Sequence, residues 1–172
     1  MHFEKVSLNE FKKAAKDCDM GKFLTDEAIE ILYEKIKLPK QGTASSAGMD
    51  MFMPFPSHLK PGENLIPLGI RWVTDEKDQD KVLSIYPRSG HGFKYRISLA
   101  NTVGIIDADY CNADNEGHIK IKLYNPKEED VYIGVGKGIC QGIVTQYFIC
   151  EGAESDDSRT GGFGSTDRKE KN

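Results

Sequence analysis

Two periodicities divide the chain. Between Ser7 and Ile36 apolar residues recur every three or four positions, whereas from about residue 43 they alternate or gather in short runs. Ser7 and Glu10 have the S-x-x-E spacing of a capping box, and Phe11, Ala14, Ala15 and Cys18 follow at helical spacing up to Met20-Gly21. Thr25 caps a second predicted helix, with Asp26 and Glu27 well placed in its first turn. Leu24 and Ile29 stand at staple positions, and Ile29, Leu32, Tyr33 and Ile36 form the apolar face, closed by Pro39. Packing, or a surface for a partner, explains this pair better than catalysis does.

Beyond it the pattern predicts strands at 65–70, 81–86, 97–100, 118–123 and 142–148, of which the fourth alternates strictly. Pro61-Gly62, Asp75 to Asp78, Asn112 to Asn115 and Asn125-Pro126 supply turn chemistry between them. Many short strands at this spacing indicate a mainly β fold, a sandwich, jelly roll or barrel. Three regions follow: a helical extension over 1–40, a β domain over 41–150, and an arm over 151–172. The arm is rich in Gly, Ser and charge and is expected to be mobile when free.

At 172 residues the chain suits one domain with a real core. A net charge of −4 excludes wrapping of nucleic acid through non-specific phosphate contacts, yet leaves room for a small anion held by local cations. No run approaches a membrane span, and the first residues lack the apolar stretch of a secretory signal. Cys18, Cys111, Cys140 and Cys150 form no C-x-x-C pair, so reduced thiols in a cytoplasmic protein are expected rather than a zinc site.

Five segments carry residue types that seldom serve packing: Ser46 to Met51, Pro87-Arg88-Ser89-Gly90, Asn101 to Tyr110, Gly136 to Gln141, and Arg159 to Thr166. Singly, each has an ordinary meaning. Arg-Ser-Gly at a strand end suits phosphate oxygens but is equally a surface turn. The Gly-rich tail lacks the Lys and the helix of a P-loop. A carboxylate after Ile105-Ile106 is most simply a turn cap.

Together and in order, they resemble the five motifs of the trimeric dUTPase family over about Ala44 to Thr166. Ala-Gly-Met-Asp-Met, Pro-Arg-Ser-Gly, Gly-Ile-Ile-Asp-Ala-Asp-Tyr, Gly-x-x-Ile-x-Gln and Gly-Gly-Phe-Gly-Ser-Thr correspond in turn. The resemblance implies a dUTPase-like β-barrel or jelly roll (β-clip), and hydrolysis of dUTP to dUMP and pyrophosphate by water attacking the α-phosphorus. It implies Asp107 as general base, with Asp109 structural and Tyr110 packed on the deoxyribose. Main-chain groups of the third motif would read uracil, joined by Asn101 and, more loosely, Lys120, with Gly104, Ile105 and Ile106 lining the slot. Arg88, Ser89, Gly90 and Gln141 would hold the phosphates. Asp50 would act through water on Mg²⁺, itself bound chiefly by phosphate oxygens. Phe163 would stack on uracil while Arg159, Gly162, Gly164 and Ser165 close on the phosphates. A homotrimer with shared active sites follows from the same resemblance.

The chain departs from the family at Gly138, where Arg is usual, at Cys111 to Asn115, which lengthens a hairpin tip as in bacterial and phage variants, and in the spacing of Arg159. His91 replaces an apolar position and reads as structural. Two other readings compete: a dCTP deaminase-type enzyme of similar fold, and a regulator that works by binding a protein partner.

Overall fold

The structure, a computed structural model, describes residues 1–153. The chain opens with a strand that the periodicity did not announce, β1 (His2–Lys5), followed by helices α1 (Leu8–Lys16) and α2 (Asp26–Glu34). Then come β2 (Lys40–Gln41), β3 (Met49–Phe52), β4 (Ser57–Leu59), β5 (Gly62–Pro67), β6 (Ile70–Val73) and β7 (Lys81–Pro87). Helix α3 (Ser89–Tyr95) precedes β8 (Ser98–Leu99) and β9 (Gly104–Asp107). A 3-10 turn (Ala108–Asn112) leads to β10 (Lys120–Asn125), β11 (Val131–Ile133) and β12 (Gly138–Gln146). The expectation of a mainly β fold holds.

All pairings among the described residues are antiparallel. The largest sheet runs β2-β3-β12-β7-β9, a second β5-β10-β8, and two-stranded ribbons join β1 to β6 and β11 to β4. Between the sheets lies one apolar core containing Met51, Ile66, Trp72, Leu83, Leu123 and Ile139, all essentially buried. Each such side chain contributes about 1.5–3 kcal/mol by leaving water. The predicted strand at 65–70 is split, because the chain turns at Gly69 with φ +72. A Cβ there would collide with Ile36 and sit 3.0 Å from the Phe11 ring, so glycine is what lets both helices pack on this turn.

The helices have their own small core of Val6, Phe11, Ala15, Cys18, Ile29 and Phe55. Thr25 caps α2 as expected, its hydroxyl accepting from the Ala28 N–H at 3.2 Å. Ser7 caps α1 through the Glu10 N–H, also at 3.2 Å. The reciprocal half of the expected box is absent: the Ser7 N–H donates to Glu116 Oε2 at 2.7 Å, and the Glu10 carboxylate turns into the β domain. The acceptor that satisfies the helix end thus comes from 109 residues away. Spacing alone contains no such information.

Candidate functional site

The five-stranded sheet gathers four of the five singled-out segments. Asp50 lies on β3 opposite Gln141 of β12, and Gln141 in turn faces Tyr86 of β7. This register brings Arg88, just past β7, beside both. Its Nε lies 3.0 Å from Asp50 Oδ1, and its Nη1 donates to the Gly138 carbonyl at 3.4 Å. Gln141 Nε2 donates to the Pro87 carbonyl at 3.2 Å.

Gly138 shapes this corner. A Cβ built there would lie 2.6 Å from Arg88 Nη1 and 2.9 Å from Cζ, so the guanidinium fills space that any other residue would claim. Beneath it, burial first and then the Asp50 charge push the Cys140 thiol far up, which keeps it neutral. Ser89 and Gly90 are exposed and open α3, an unforeseen helix whose N-cap is Arg88. His91, in its first turn, is half-buried with Nδ1 unpartnered, and burial followed by the Arg88 charge lowers its pKa.

A second feature lies along β9. A cavity of about 530 Å³ has among its walls Leu99, Asn101, Gly104, Ile105, Ile106 and Lys120, with Glu63 and Leu65 of β5 and Ile85 of β7. The predicted base-contacting positions are therefore brought together. The β5 contribution was not foreseen, since only the long-range β5–β10 pairing places it there.

One edge of this cavity is backbone. The Ile119 carbonyl accepts from the Leu68 N–H at 3.0 Å, and its N–H donates to Ile70 at 2.9 Å, so Ile119 faces the β5–β6 side. The Lys122 carbonyl accepts from the Ala100 N–H at 2.8 Å, so Lys122 faces β8. Backbone groups alternate sides along a strand, which turns the Lys120 amide and carbonyl toward β8 as well. But β8 stops at Leu99, and the chain bends away through Thr102, φ +67. The Lys120 peptide edge therefore faces the cavity.

Asp107 ends β9, exposed, at the N-cap of the 3-10 turn. Tyr110 follows inside that turn but is buried in the main core rather than lining the cavity. Its hydroxyl donates to the His118 carbonyl at 3.1 Å and accepts from Asn115 Nδ2 at 2.8 Å. Arg159, Gly162, Phe163, Gly164 and Ser165 lie outside the described residues. All four cysteines are free thiols, and among the described residues no helix is long and apolar enough to cross a membrane.

The register also separates Asp107 from the Arg88 corner. Asp107 pairs with Val82 and the Arg88 corner follows Pro87, five residues on; at about 3.4 Å per residue these ends of β7 stand roughly 17 Å apart.

A family model described as dUTPase matches residues 34–167. The chain is 38% identical over 135 residues to the deoxyuridine 5'-triphosphate nucleotidohydrolase of Lactococcus lactis, covering 76% of this chain and 88% of that one. It is 40% identical over 137 residues to the Finegoldia magna protein of the same name, covering 75% and 90%. The crystal structure of dUTPase from Streptococcus mutans superposes with a TM-score of 0.66 at 26% identity, over 88% of this chain and all of that one. A dUTPase from phage phi11 of S. aureus shares the fold at 18% identity and a TM-score of 0.57, over 72% and 92%. From the motif order, the sheet that assembles it and these relatives, the chain belongs to the dUTPase family.

Proposed function

We propose that the protein hydrolyses dUTP to dUMP and pyrophosphate in a homotrimer whose active sites draw on more than one chain. The observation that carries this reading is the placement of Asp107 at the end of the strand that walls the cavity. Uracil enters between Ile105, Ile106 and Leu99, and the Lys120 peptide edge offers one donor and one acceptor beside the Asn101 amide. A base read by fixed main-chain groups rejects cytosine, whose hydrogen-bond pattern leaves buried groups unpaired.

Asp107 orients a water molecule and takes its proton as the water oxygen bonds to the α-phosphorus. The bond from that phosphorus to the bridging oxygen breaks, and pyrophosphate leaves. Arg88, Ser89 and Gln141 hold the phosphate chain, and Gly90 lets its backbone approach closely. The reading for Tyr110 is a wall for the sugar, set back from the cavity by its core packing.

Roughly 17 Å of strand is too far for one Asp107 and the Arg88 of the same chain to serve one triphosphate, which supports sites shared between copies. Among the described residues no three His, Cys, Asp or Glu cluster as a metal cage. The single carboxylate of Asp50 beside Arg88 suits Mg²⁺, which keeps waters and binds substrate phosphates, with Asp50 reached through water. When bound, the ion neutralises charge on the phosphate oxygens. Arg159, Gly162, Phe163, Gly164 and Ser165 act as a lid over base and phosphates.

Pyrophosphate release from dUTP, dTTP, dCTP and UTP tests the substrate, and ammonia release from dCTP would mark a deaminase instead. Shared sites are tested by co-refolding inactive Asp107→Asn and Arg88→Ala chains. Mixed assemblies regain activity if one chain supplies Asp107 and another Arg88. An inactive mixture discards shared sites.

A further inference from the structure

The first turn of α1 lies outside the residues that match the family, yet it grips the strand that edges the cavity. Three alternate positions approaching and entering β10 are held from one side. Ser7 donates through its hydroxyl to Glu116 Oε1 at 2.6 Å and through its N–H to Oε2 at 2.7 Å. Glu10 Oε1 lies 3.0 Å from His118 Nδ1 and 3.6 Å from Lys120 Nζ. His118 is fully buried, and its Nε2 accepts from the Gly69 N–H at 2.9 Å. That bond puts the ring proton on Nδ1, where it donates to Glu10. Burial, against the pull of Glu10, holds the His118 pKa near 4, so the ring is neutral at pH 7.

The carboxylate therefore does not serve its own helix end. It sits only 8% exposed in the β domain, between a neutral ring and the ammonium of a residue whose peptide edge faces the cavity. Lys120 thus turns two ways, its side chain held by α1 and its peptide edge toward the slot.

We infer that Glu10, supplied by the N-terminal helical pair, is a positioning residue that fixes the Lys120 edge for reading the nucleobase. This rests on the proposed slot. Helix α1 braces the slot from behind, through Glu116, His118 and Lys120. Loss of the brace should therefore weaken recognition of the base while leaving the chemical step intact. A displaced hydrogen-bonding edge leaves polar groups of base and strand mispaired, which suffices for about a tenfold effect on binding.

The test is Glu10→Gln in the full-length protein, which keeps an acceptor for His118 and removes the charge facing Lys120. Glu10→Ala serves as the harsher variant, with melting temperatures for both. Expected is a rise in KM for dUTP of several-fold for Gln and about tenfold for Ala, with kcat unchanged. Inhibition by inorganic tripolyphosphate, which has no base, should not change. Combined with Lys120→Met, the Gln variant should add nothing further. Unchanged KM in Glu10→Gln, an equal loss of tripolyphosphate inhibition, or additivity with Lys120→Met overturns the inference. Asn101→Ala is measured alongside. If it leaves KM intact, the slot itself is misassigned and the inference falls with it; if it raises KM while Glu10→Gln does not, only the inference falls.

Discussion

The Arg88 corner and the cavity share one strand, β7, the cavity taking Ile85 from it and the corner following Pro87, yet they are built from different materials. The corner is made of side chains: Arg88 bound to Asp50, Gln141 bound to the Pro87 carbonyl, and Gly138 vacating room for a guanidinium. The cavity is made of apolar walls and a peptide edge. Phosphates carry charge and are recognised by charge, so a corner that holds them needs particular residue types. A pyrimidine edge is recognised by a donor and acceptor pattern that any residue's backbone offers, provided the fold stops a neighbouring strand at the right place. Lys120 at this edge owes its side chain to α1 and only its peptide to the slot.

The largest effect that sharpens this contrast is expected at Asp107, which adjoins the cavity and, in the proposed reaction, acts on phosphorus. Asp107→Asn should lower kcat by at least about 100-fold, the loss typical of a missing general base. dUMP affinity by calorimetry should stay near the wild-type value. Turnover close to wild type would remove Asp107 from the mechanism.

A smaller effect is expected at the corner. In Gly138→Ala the new methyl group meets the end of a flexible side chain, so Arg88 shifts and the fold survives. A loss of roughly 1–2 kcal/mol in phosphate binding, some ten-fold in kcat/KM, should follow from the displaced charged contact. The melting temperature should hold. Unchanged kinetics would mean that the Arg88 position seen here is not the one used with substrate.

The smallest effect concerns stability and lies behind the cavity. The folded-state pKa of His118 is depressed to about 4 from an ordinary 6.5. The folded protein thus binds the proton less well than the unfolded chain. The contribution of the neutral ring is complete above pH 6.5 and is lost as pH falls from there toward 4. The slope is at most one proton's worth, about 1.4 kcal/mol per pH unit. Urea midpoints between pH 8 and 4 measure it, and His118→Asn should flatten that part of the curve. A wild-type curve with no slope in this window contradicts a buried neutral ring.

Legibility followed the same division. Arg88, Asp107 and Gln141 stood out because cations, carboxylates and amides beside glycines are uncommon in packing segments, and their order carried the family resemblance. Ile105 and Ile106 were readable as apolar walls. Glu63 and Leu65 were not, because they reach the cavity only through the β5–β10 register, more than fifty residues apart in sequence. Strand β1 escaped notice since its four residues are mostly polar and half-exposed, paired by backbone to β6. Helix α3 escaped because Ser-Gly-His-Gly has poor helix propensity; its apolar content is small and its burial slight. Glu10 was read as half of a capping box, the correct local option, until Glu116 took that acceptor role.

By itself the sequence determined the class of fold, the two helices with their Ser7 and Thr25 caps, and the ordered residue types that carry the family resemblance. Those properties depend on neighbours within a few positions or on side chains that few other tasks require. Tertiary structure alone decided that Arg88 lies in the space left by Gly138, that the Lys120 peptide faces an open cavity, and that Glu10 serves the β domain rather than its own helix. Each of these depends on which distant backbone groups satisfy one another, and a hydrogen bond between residues a hundred positions apart has no local signature.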